Sequence, residues 1–118
     1  MANGFVQEVI RNYKEGLGQF EKALPQVAKT YNQFTGECFA EGELSAQVKQ
    51  LIGLALGVYT NDEYCIIYHT KEAVEKGASD QQVLEAAAVA GAFGGGAAMS
   101  QAVTLVQEAL LEVRQQTH

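Results

Sequence analysis

The chain has 118 residues, of which 47% are hydrophobic and 19% charged, and its formal net charge is −6. A chain of this length holds one core, so we expect a single domain over residues 1–118, and its apolar content excludes a disordered chain. The acidic balance lacks the basic stripe that displaces counterions, which excludes nucleic acid and anionic membrane surfaces as partners.

The N-terminal third of the chain predicts two helices. Apolar side chains recur at helical spacing from about Phe5 to Leu24, which indicates a first amphipathic helix. Pro25 suits the first turn of a second helix, which ends near the loop at residues 40–43. Ser45 then provides a good N-cap for a third helix.

The third helix is almost wholly apolar from Leu51 to Tyr59, a pattern that predicts burial on every side. Asn61 and Asp62 predict the end of this helix and the N-cap of a fourth one. The fourth helix carries Cys65 and a histidine, and Gly77 fits its C-terminal cap. Two helices are therefore expected to meet at residues 61–62.

The C-terminal part of the chain predicts further helices. Ser79 followed by Gln82 forms a capping box for a fifth helix. The glycine-rich run Gly91–Gly96 breaks or tightly packs the chain, and it lacks the lysine and hydroxyl of a phosphate-binding loop. A last amphipathic helix runs to about Arg114 and leaves Gln115–His118 as a frayed tail. With a single proline and abundant alanine, the fold expected is all-α with about six helices.

Two segments bear on the location of the protein. The start, Met1–Phe5, has neither a basic nor an apolar signal region, which predicts no secretory signal. The stretch Ala86–Gln107 has no charged residue, but it is mostly alanine and glycine and predicts a buried helix instead of a membrane span. Two cysteines without an export signal favour free thiols in a reducing cytoplasm.

The apolar helices pose a packing problem for so short a chain. A monomer of this size leaves much of its surface exposed. Uncharged faces on the third, fifth and sixth helices would form patches that a soluble monomer rarely tolerates. Closed homo-oligomers are the usual solution, so we expect the chain to bind copies of itself.

Cys65 and His69 form the one pair with plausible chemistry. They lie four residues apart on the fourth helix, so their side chains share one face and can touch. A protonated imidazole and the N–H groups of a first helical turn both favour a thiolate. The carboxylates of Asp62 and Glu63 in the same turn oppose it. The sequence therefore leaves the direction of the thiol pKa open.

Three blocks around this pair carry a family resemblance. They read LSAQVKQLIGLA at 44–55, NDEYCIIYH at 61–69 with Gly77 and Ala78 beyond it, and GGGAAM at 94–99. In this order and spacing the chain resembles the alkyl hydroperoxidase D and carboxymuconolactone decarboxylase family, from about Phe39 to Leu111. The resemblance implies an all-α fold and a homotrimer or homohexamer.

The resemblance also implies roles for individual residues. Family members with peroxidase activity carry Cys-x-x-Cys-x-x-x-His, with a glutamate twelve residues before the first cysteine. The second cysteine and the histidine correspond to Cys65 and His69, whereas the first cysteine falls on Asp62 and the glutamate on Gln50. The local disulfide therefore cannot form. Gln50 cannot ionise to relay a proton, although it can hydrogen-bond the histidine.

These departures leave three functions open. The first is a thiol-dependent, peroxiredoxin-type antioxidant activity, in which Cys65 is the redox-active thiol, His69 its base and an external thiol the reductant. The second is a non-catalytic binding or scaffold protein. The third is a decarboxylase-like lyase that uses His69. Its substrate, a lactone with carboxylates, needs cationic anchors, and the scarcity of cations near the motif argues against this function. Lys49 and Lys71 are the nearest.

Other residues near the motif have simpler interpretations. Tyr64 and Tyr68 flank the pair and either line a pocket for a small-molecule substrate or pack at an interface. Cys38 lies outside any motif and is expected to be a small apolar filler. No cluster of histidine, cysteine and carboxylate is dense enough for zinc, so we expect neither a metal nor a cofactor.

Overall fold

The computed structural model describes residues 4–116. Within that range every regular element is a helix, which confirms the all-α prediction. The helices are α1 (Phe5–Ala23), α2 (Pro25–Phe39), α3 (Ala46–Thr60), α4 (Glu63–Glu75), α5 (Asp80–Gly94), α6 (Gly96–Gln101) and α7 (Gln107–Gln116), with a π-helical segment (Ala102–Val106) between the last two.

The predicted caps account for the helix boundaries. The Ser45 and Asp62 side chains accept hydrogen bonds from the backbone N–H groups three residues later and cap α3 and α4. Ser79 and Gln82 form the predicted capping box at the start of α5. Asn61 ends α3 with φ of 58°, and Gly77 follows α4 with φ of 94°. Local side-chain chemistry therefore fixes the ends of the central helices.

The glycine run ends α5 and starts the last part of the chain. Gly95 has φ of 76° and separates α5 from α6. From there α6, the π-helical segment and α7 follow one another without a break, so the described residues form about six helical rods, as predicted. The last rod continues to Gln116, beyond the predicted end at Arg114. Met1–Asn3, Thr117 and His118 lie outside the described residues.

The core lies where α3 and α4 pack against each other and against α5 and the last rod. Large side chains with no exposed area fill it, including Leu54, Val58, Ile66, Ile67 and Val83. Val6, at the start of α1, also reaches this core. Among residues 4–116, no helix has both the length and the apolarity that a bilayer crossing requires.

Two parts of the fold keep apolar side chains outside this core. Beyond its first turns α1 leaves the core, and α2 returns beside it, with Ala28 as the one buried residue of α2. The expected burial of α3 on every side is wrong for a single chain, because Ile52, Leu56 and Tyr59 are all at least 45% exposed. A chain of this length has too few other helices to surround α3.

Candidate active site

Helix α4 carries Cys65 and His69 one turn apart, both partly buried. The N-cap residue Asp62 positions the first turn, because its Oδ1 accepts a hydrogen bond of 3.1 Å from the Cys65 backbone N–H. Positions four apart on a helix lie on the same face. The predicted pair is therefore held on one side of α4, with an acidic residue at the same end as the thiol.

Two glycines let α3 approach this face of α4 closely. A Cβ on Gly53 would lie 2.9 Å from Cε1 and Nδ1 of the His69 ring. A Cβ on Gly57 would lie 3.0 Å from Cys65 Cβ and 3.1 Å from the backbone nitrogen of Ile66. The distance at Gly53 is too short for a real side chain, so the histidine ring would have to move. The contacts at Gly57 are tight, and a side chain there would push the first turn of α4 away by a few tenths of an ångström. Nothing in the apolar pattern of the third helix indicates this role of its glycines.

Gln50, one turn before Gly53 on α3, holds the histidine ring. Its side chain is 4% exposed, and its Oε1 lies 2.7 Å from His69 Nδ1. An amide oxygen only accepts, so Nδ1 carries the proton and donates it to Oε1. The other ring nitrogen, Nε2, is then the proton acceptor of the neutral imidazole. The predicted hydrogen bond between these two residues is present.

Aromatic rings surround the histidine. Phe39, the last residue of α2, stacks on the His69 ring with 5.2 Å between centroids. Tyr68 meets the same ring edge-on at 5.1 Å and stacks on Tyr64 at 5.6 Å. Tyr64 in turn stacks on Tyr13 of α1 at 4.0 Å. The predicted tyrosines thus form a wall beside the pair, and Phe39, which the sequence analysis did not identify as a site residue, completes it.

Burial and charge act differently on the two reactive groups. Burial, then the negative charge of Asp62 and a hydrogen bond to it, raise the pKa of the Cys65 thiol to about 11. Burial lowers the pKa of His69, and the charge of Asp62 opposes this. Burial also raises the pKa of Tyr64 and of Tyr68. Near pH 7 the site therefore holds a neutral thiol, a neutral imidazole and neutral phenols.

Replacing Asp62 with asparagine is expected to make Cys65 more reactive. Removal of the charge lowers the thiol pKa and raises the thiolate fraction at pH 7 about tenfold. Each thiolate is then a weaker nucleophile, so the net gain in alkylation rate is about threefold. The rate of iodoacetamide labelling of Cys65, in a Cys38→Ser background, measures this gain. Asparagine also caps helices well, whereas Asp62→Ala controls for loss of the cap. An unchanged rate in Asp62→Asn would remove Asp62 from the control of this thiol.

The other candidate groups lie apart from the pair. Cys38 is exposed on α2, so its interpretation as an apolar filler is wrong. The residue that fills the space over His69 is its neighbour Phe39. Lys71 Nζ lies 2.6 Å from Glu75 Oε2, and Lys49 Nζ donates to the Ala40 carbonyl at 2.7 Å. Both of these lysines are thus engaged with groups of the chain itself.

The fold and the site define an all-α protein with a cysteine and a histidine on one helix and a buried glutamine behind the histidine. The chain belongs to the carboxymuconolactone decarboxylase family, whose model matches residues 25–108. This range contains Gln50, Cys65 and His69 and all of helices α2 to α5. The family resemblance of the sequence blocks is therefore confirmed.

Relatives and solved structures agree with this assignment. Uncharacterised protein 4 in the cox locus of Paracoccus denitrificans is 34% identical over 86 residues, which cover 73% of this chain and 78% of that protein. An uncharacterised protein of Cupriavidus necator is 30% identical over 79 residues, or 67% of this chain and 70% of that one.

Two crystal structures have the same fold. A carboxymuconolactone decarboxylase family protein from Legionella pneumophila has a TM-score of 0.88 at 24% identity and covers 94% of this chain and 98% of its own. A member of the same family from Thermotoga maritima has a TM-score of 0.78 at 25% identity, and the match covers 93% of this chain and 95% of the Thermotoga chain. The Thermotoga protein is described with a suggested involvement in the antioxidative response.

Proposed function

We propose that this protein reduces peroxides with Cys65 as the oxidised thiol, His69 as its base and an external thiol as the reductant. The observation that carries the proposal is the held imidazole one turn from a partly buried thiol. Gln50 fixes the histidine tautomer, and Phe39 and Tyr68 fix the ring. The antioxidative involvement suggested for the Thermotoga protein also supports a peroxide-reducing function.

The proposed chemistry proceeds in three steps. The thiol proton passes to His69 as the Cys65 sulfur attacks one peroxide oxygen, the O–O bond breaks and the alcohol or water leaves with a proton. This gives a sulfenic acid at Cys65. One external thiol condenses with it and releases water, which forms a mixed disulfide. A second external thiol breaks that disulfide, restores the Cys65 thiol and leaves as the oxidised reductant.

The neighbouring residues explain why the reductant comes from outside. Asp62 occupies the position three residues before Cys65, so α4 has no second thiol in that turn. At a pKa of about 11 only ~10⁻⁴ of the thiol is ionised at pH 7. A general base that removes the proton during attack is therefore needed, and the neutral His69 can supply it. Because burial lowers the pKa of His69, the imidazole is neutral throughout the neutral range, and we expect turnover that rises with pH below about 6.5 and is level above it.

Cys65→Ser is expected to abolish peroxide consumption. The hydroxyl of serine keeps the size of the side chain but does not form a sulfenic acid. Turnover of hydrogen peroxide and of an organic hydroperoxide, each with a monothiol or dithiol as reductant, measures the effect. Cys38→Ser is the matched control and is expected to retain at least half of the wild-type rate. Equal rates for wild type and Cys65→Ser would refute the proposal.

A second candidate function uses His69 without the thiol. The raised pKa of Cys65 and the lowered pKa of His69 favour a lyase in which the neutral imidazole moves a proton on a small substrate. The pairing of Lys71 with Glu75 argues against a substrate with several carboxylates, because within one chain this lysine is already engaged by a carboxylate. Turnover of a lactone that is lost in His69→Ala but kept in Cys65→Ser would favour this function. Absence of both peroxide reduction and lactone turnover in the wild type would favour a non-catalytic binding protein.

A further inference from the structure

Tyr13, Tyr64 and Tyr68 form a continuous stack of rings beside Cys65, which we call the tyrosine stack. The rings of Tyr13 and Tyr64 are 4.0 Å apart between centroids, with 14° between their planes. Those of Tyr64 and Tyr68 are 5.6 Å apart, with 20° between planes. Aromatic pairs in proteins usually have centroids ~4.5–7 Å apart. Rings this close and nearly parallel have overlapping π systems, which is a geometry that supports electron transfer between them.

The tyrosine stack runs from the surface to the thiol. Tyr13 lies in the hairpin that α1 forms with α2 and is 40% exposed, whereas Tyr64 and Tyr68 are partly buried. On α4, Tyr64 directly precedes Cys65, and Tyr68 lies one turn after it. Burial is the largest cause of the raised pKa of Tyr64, and the charges of neighbouring groups, including that of Cys65, add to it. The Cys65 sulfur therefore lies within electrostatic range of this phenol.

A carboxylate accompanies the two inner tyrosines. Tyr64, Tyr68 and Glu72 follow one another at a spacing of four residues, so they share one face of α4. After burial, the charge of the partly buried Glu72 also raises the pKa of both phenols. A phenol that loses an electron becomes a strong acid, so its proton must pass to a base as the electron leaves. Glu72 is the carboxylate that acts on both rings, which suits it to accept that proton.

We propose that the tyrosine stack carries electrons from Cys65 to organic peroxyl radicals at the protein surface. The inference rests on the proposed function for its redox-active thiol and its external thiol reductant. A wall that served only to exclude water would need no hydroxyl groups, and each partly buried hydroxyl costs desolvation. The reduced peroxyl radical is a hydroperoxide, which is the substrate class of the proposed peroxide reduction at the same thiol.

The proposed chemistry moves one electron at a time. The peroxyl radical takes an electron and a proton from the Tyr13 phenol, which leaves a hydroperoxide and a Tyr13 phenoxyl radical. Tyr64 then gives an electron to Tyr13, which takes a proton from solvent, and the Tyr64 proton passes to Glu72. Cys65 gives the next electron to Tyr64, which takes its proton back, and the thiol proton passes to His69 and on to solvent. The Cys65 thiyl radical takes a hydrogen atom from an external thiol, and two external thiyl radicals join as a disulfide.

Pulse radiolysis tests the relay in a simplified protein. Tyr31→Phe and Tyr59→Phe remove the tyrosines outside the stack, Cys38→Ser removes the other cysteine, and the chain has no tryptophan. Azide radicals then form tyrosyl radicals in the stack alone, and the visible absorption of these radicals is followed with a monothiol present. We expect a fast first-order decay of the absorption in this background protein. Cys65→Ser is expected to lose the fast decay, because no thiol remains to refill the stack.

Two further variants of the background protein test the path. Tyr64→Phe keeps the ring but forms no phenoxyl radical, so it is expected to lose the fast decay although Cys65 is intact. The same change at Tyr31 and Tyr59, already in the background, is the matched control. Tyr13→Phe is expected to lower the initial yield of tyrosyl radicals, because it removes the exposed ring. Circular dichroism checks that each variant is folded.

The outcomes separate this relay from the peroxide reduction. A background protein without the fast decay, or a Tyr64→Phe variant that keeps it, would overturn the relay. An unchanged radical yield in Tyr13→Phe would overturn the entry of the electron path at the surface. These decays involve no peroxide, so they report the relay whether or not Cys65→Ser abolishes peroxide consumption.

Discussion

Gly53→Ala is expected to reduce His69-dependent turnover by about 100-fold or more, the contribution that a positioned general base makes. The added Cβ would lie 2.9 Å from two atoms of the ring. The ring cannot move away without losing its 2.7 Å contact with Gln50 or its stacking on Phe39. We expect the imidazole to be displaced and its tautomer to be no longer fixed.

The same substitution tests which of two opposing effects decides stability. Alanine gains about 1 kcal/mol over glycine inside a helix. Overpacking costs about 1–3 kcal/mol, and an unpaired buried polar group costs a further 1–3 kcal/mol or so. Gly53→Ala should therefore lower the free energy of unfolding by about 1–5 kcal/mol in urea titrations. Gly36→Ala, where an added Cβ meets no atom within 4 Å, is the matched control and should be neutral or stabilising. A fully active, stabilised Gly53→Ala variant would contradict this account of the site.

The parts of the fold that were predictable from sequence depend on local chemistry. Ser45, Asp62 and Ser79 cap helices through hydrogen bonds to backbone groups three residues away, so their effect is visible in a short stretch of sequence. The pairing of Cys65 with His69 on one face follows from the helical period alone. These features do not depend on how the helices pack.

The parts that sequence did not reveal depend on contacts between distant residues. Phe39 reaches His69 across 30 positions of the chain, and no periodic pattern distinguishes it from other aromatic residues of the hairpin. Gly53 and Gly57 looked like ordinary members of an apolar helix, and their role exists only because α4 packs on that face. The exposed side of α3 likewise depends on how many neighbours a single chain can provide.

The direction of the thiol pKa shift could not be predicted because the sequence around Cys65 contains groups that favour a thiolate and groups that oppose it. The N–H groups of the first turn of α4 favour a thiolate, and Asp62 disfavours it. Burial, the largest cause of the rise to about 11, depends on the packing of α3 against α4. The largest part of the rise in the thiol pKa therefore follows from the fold and not from the neighbouring residues in the sequence. This is why Asp62→Asn should restore only part of the reactivity.

Gln50→Leu is expected to affect both stability and turnover. Leucine fills a similar volume but leaves the buried Nδ1–H of His69 without an acceptor, which should lower the free energy of unfolding by about 1–3 kcal/mol. The imidazole then has no fixed tautomer, and turnover should fall by about 100-fold. Urea titration and steady-state peroxide reduction measure the two effects. Gln47→Leu, on the same helix but outside the site, is the control for turnover.

Gln50→Glu is expected to keep the hydrogen bond and reverse the pH dependence that His69 gives to stability. In the wild type burial lowers the folded-state pKa of His69, so the unfolded chain binds more protons between that value and about 6.5, and stability falls as pH falls through this window. A carboxylate beside Nδ1 favours the imidazolium and raises the folded-state pKa. Stability should then be greatest below about pH 6.5 and should fall as pH rises through the raised pKa. Urea titrations of wild type and variant between about pH 5 and pH 8 should therefore show slopes of opposite sign near pH 6. Parallel slopes would mean that residue 50 does not control the protonation of His69, and the base assigned to Cys65 would lose its support.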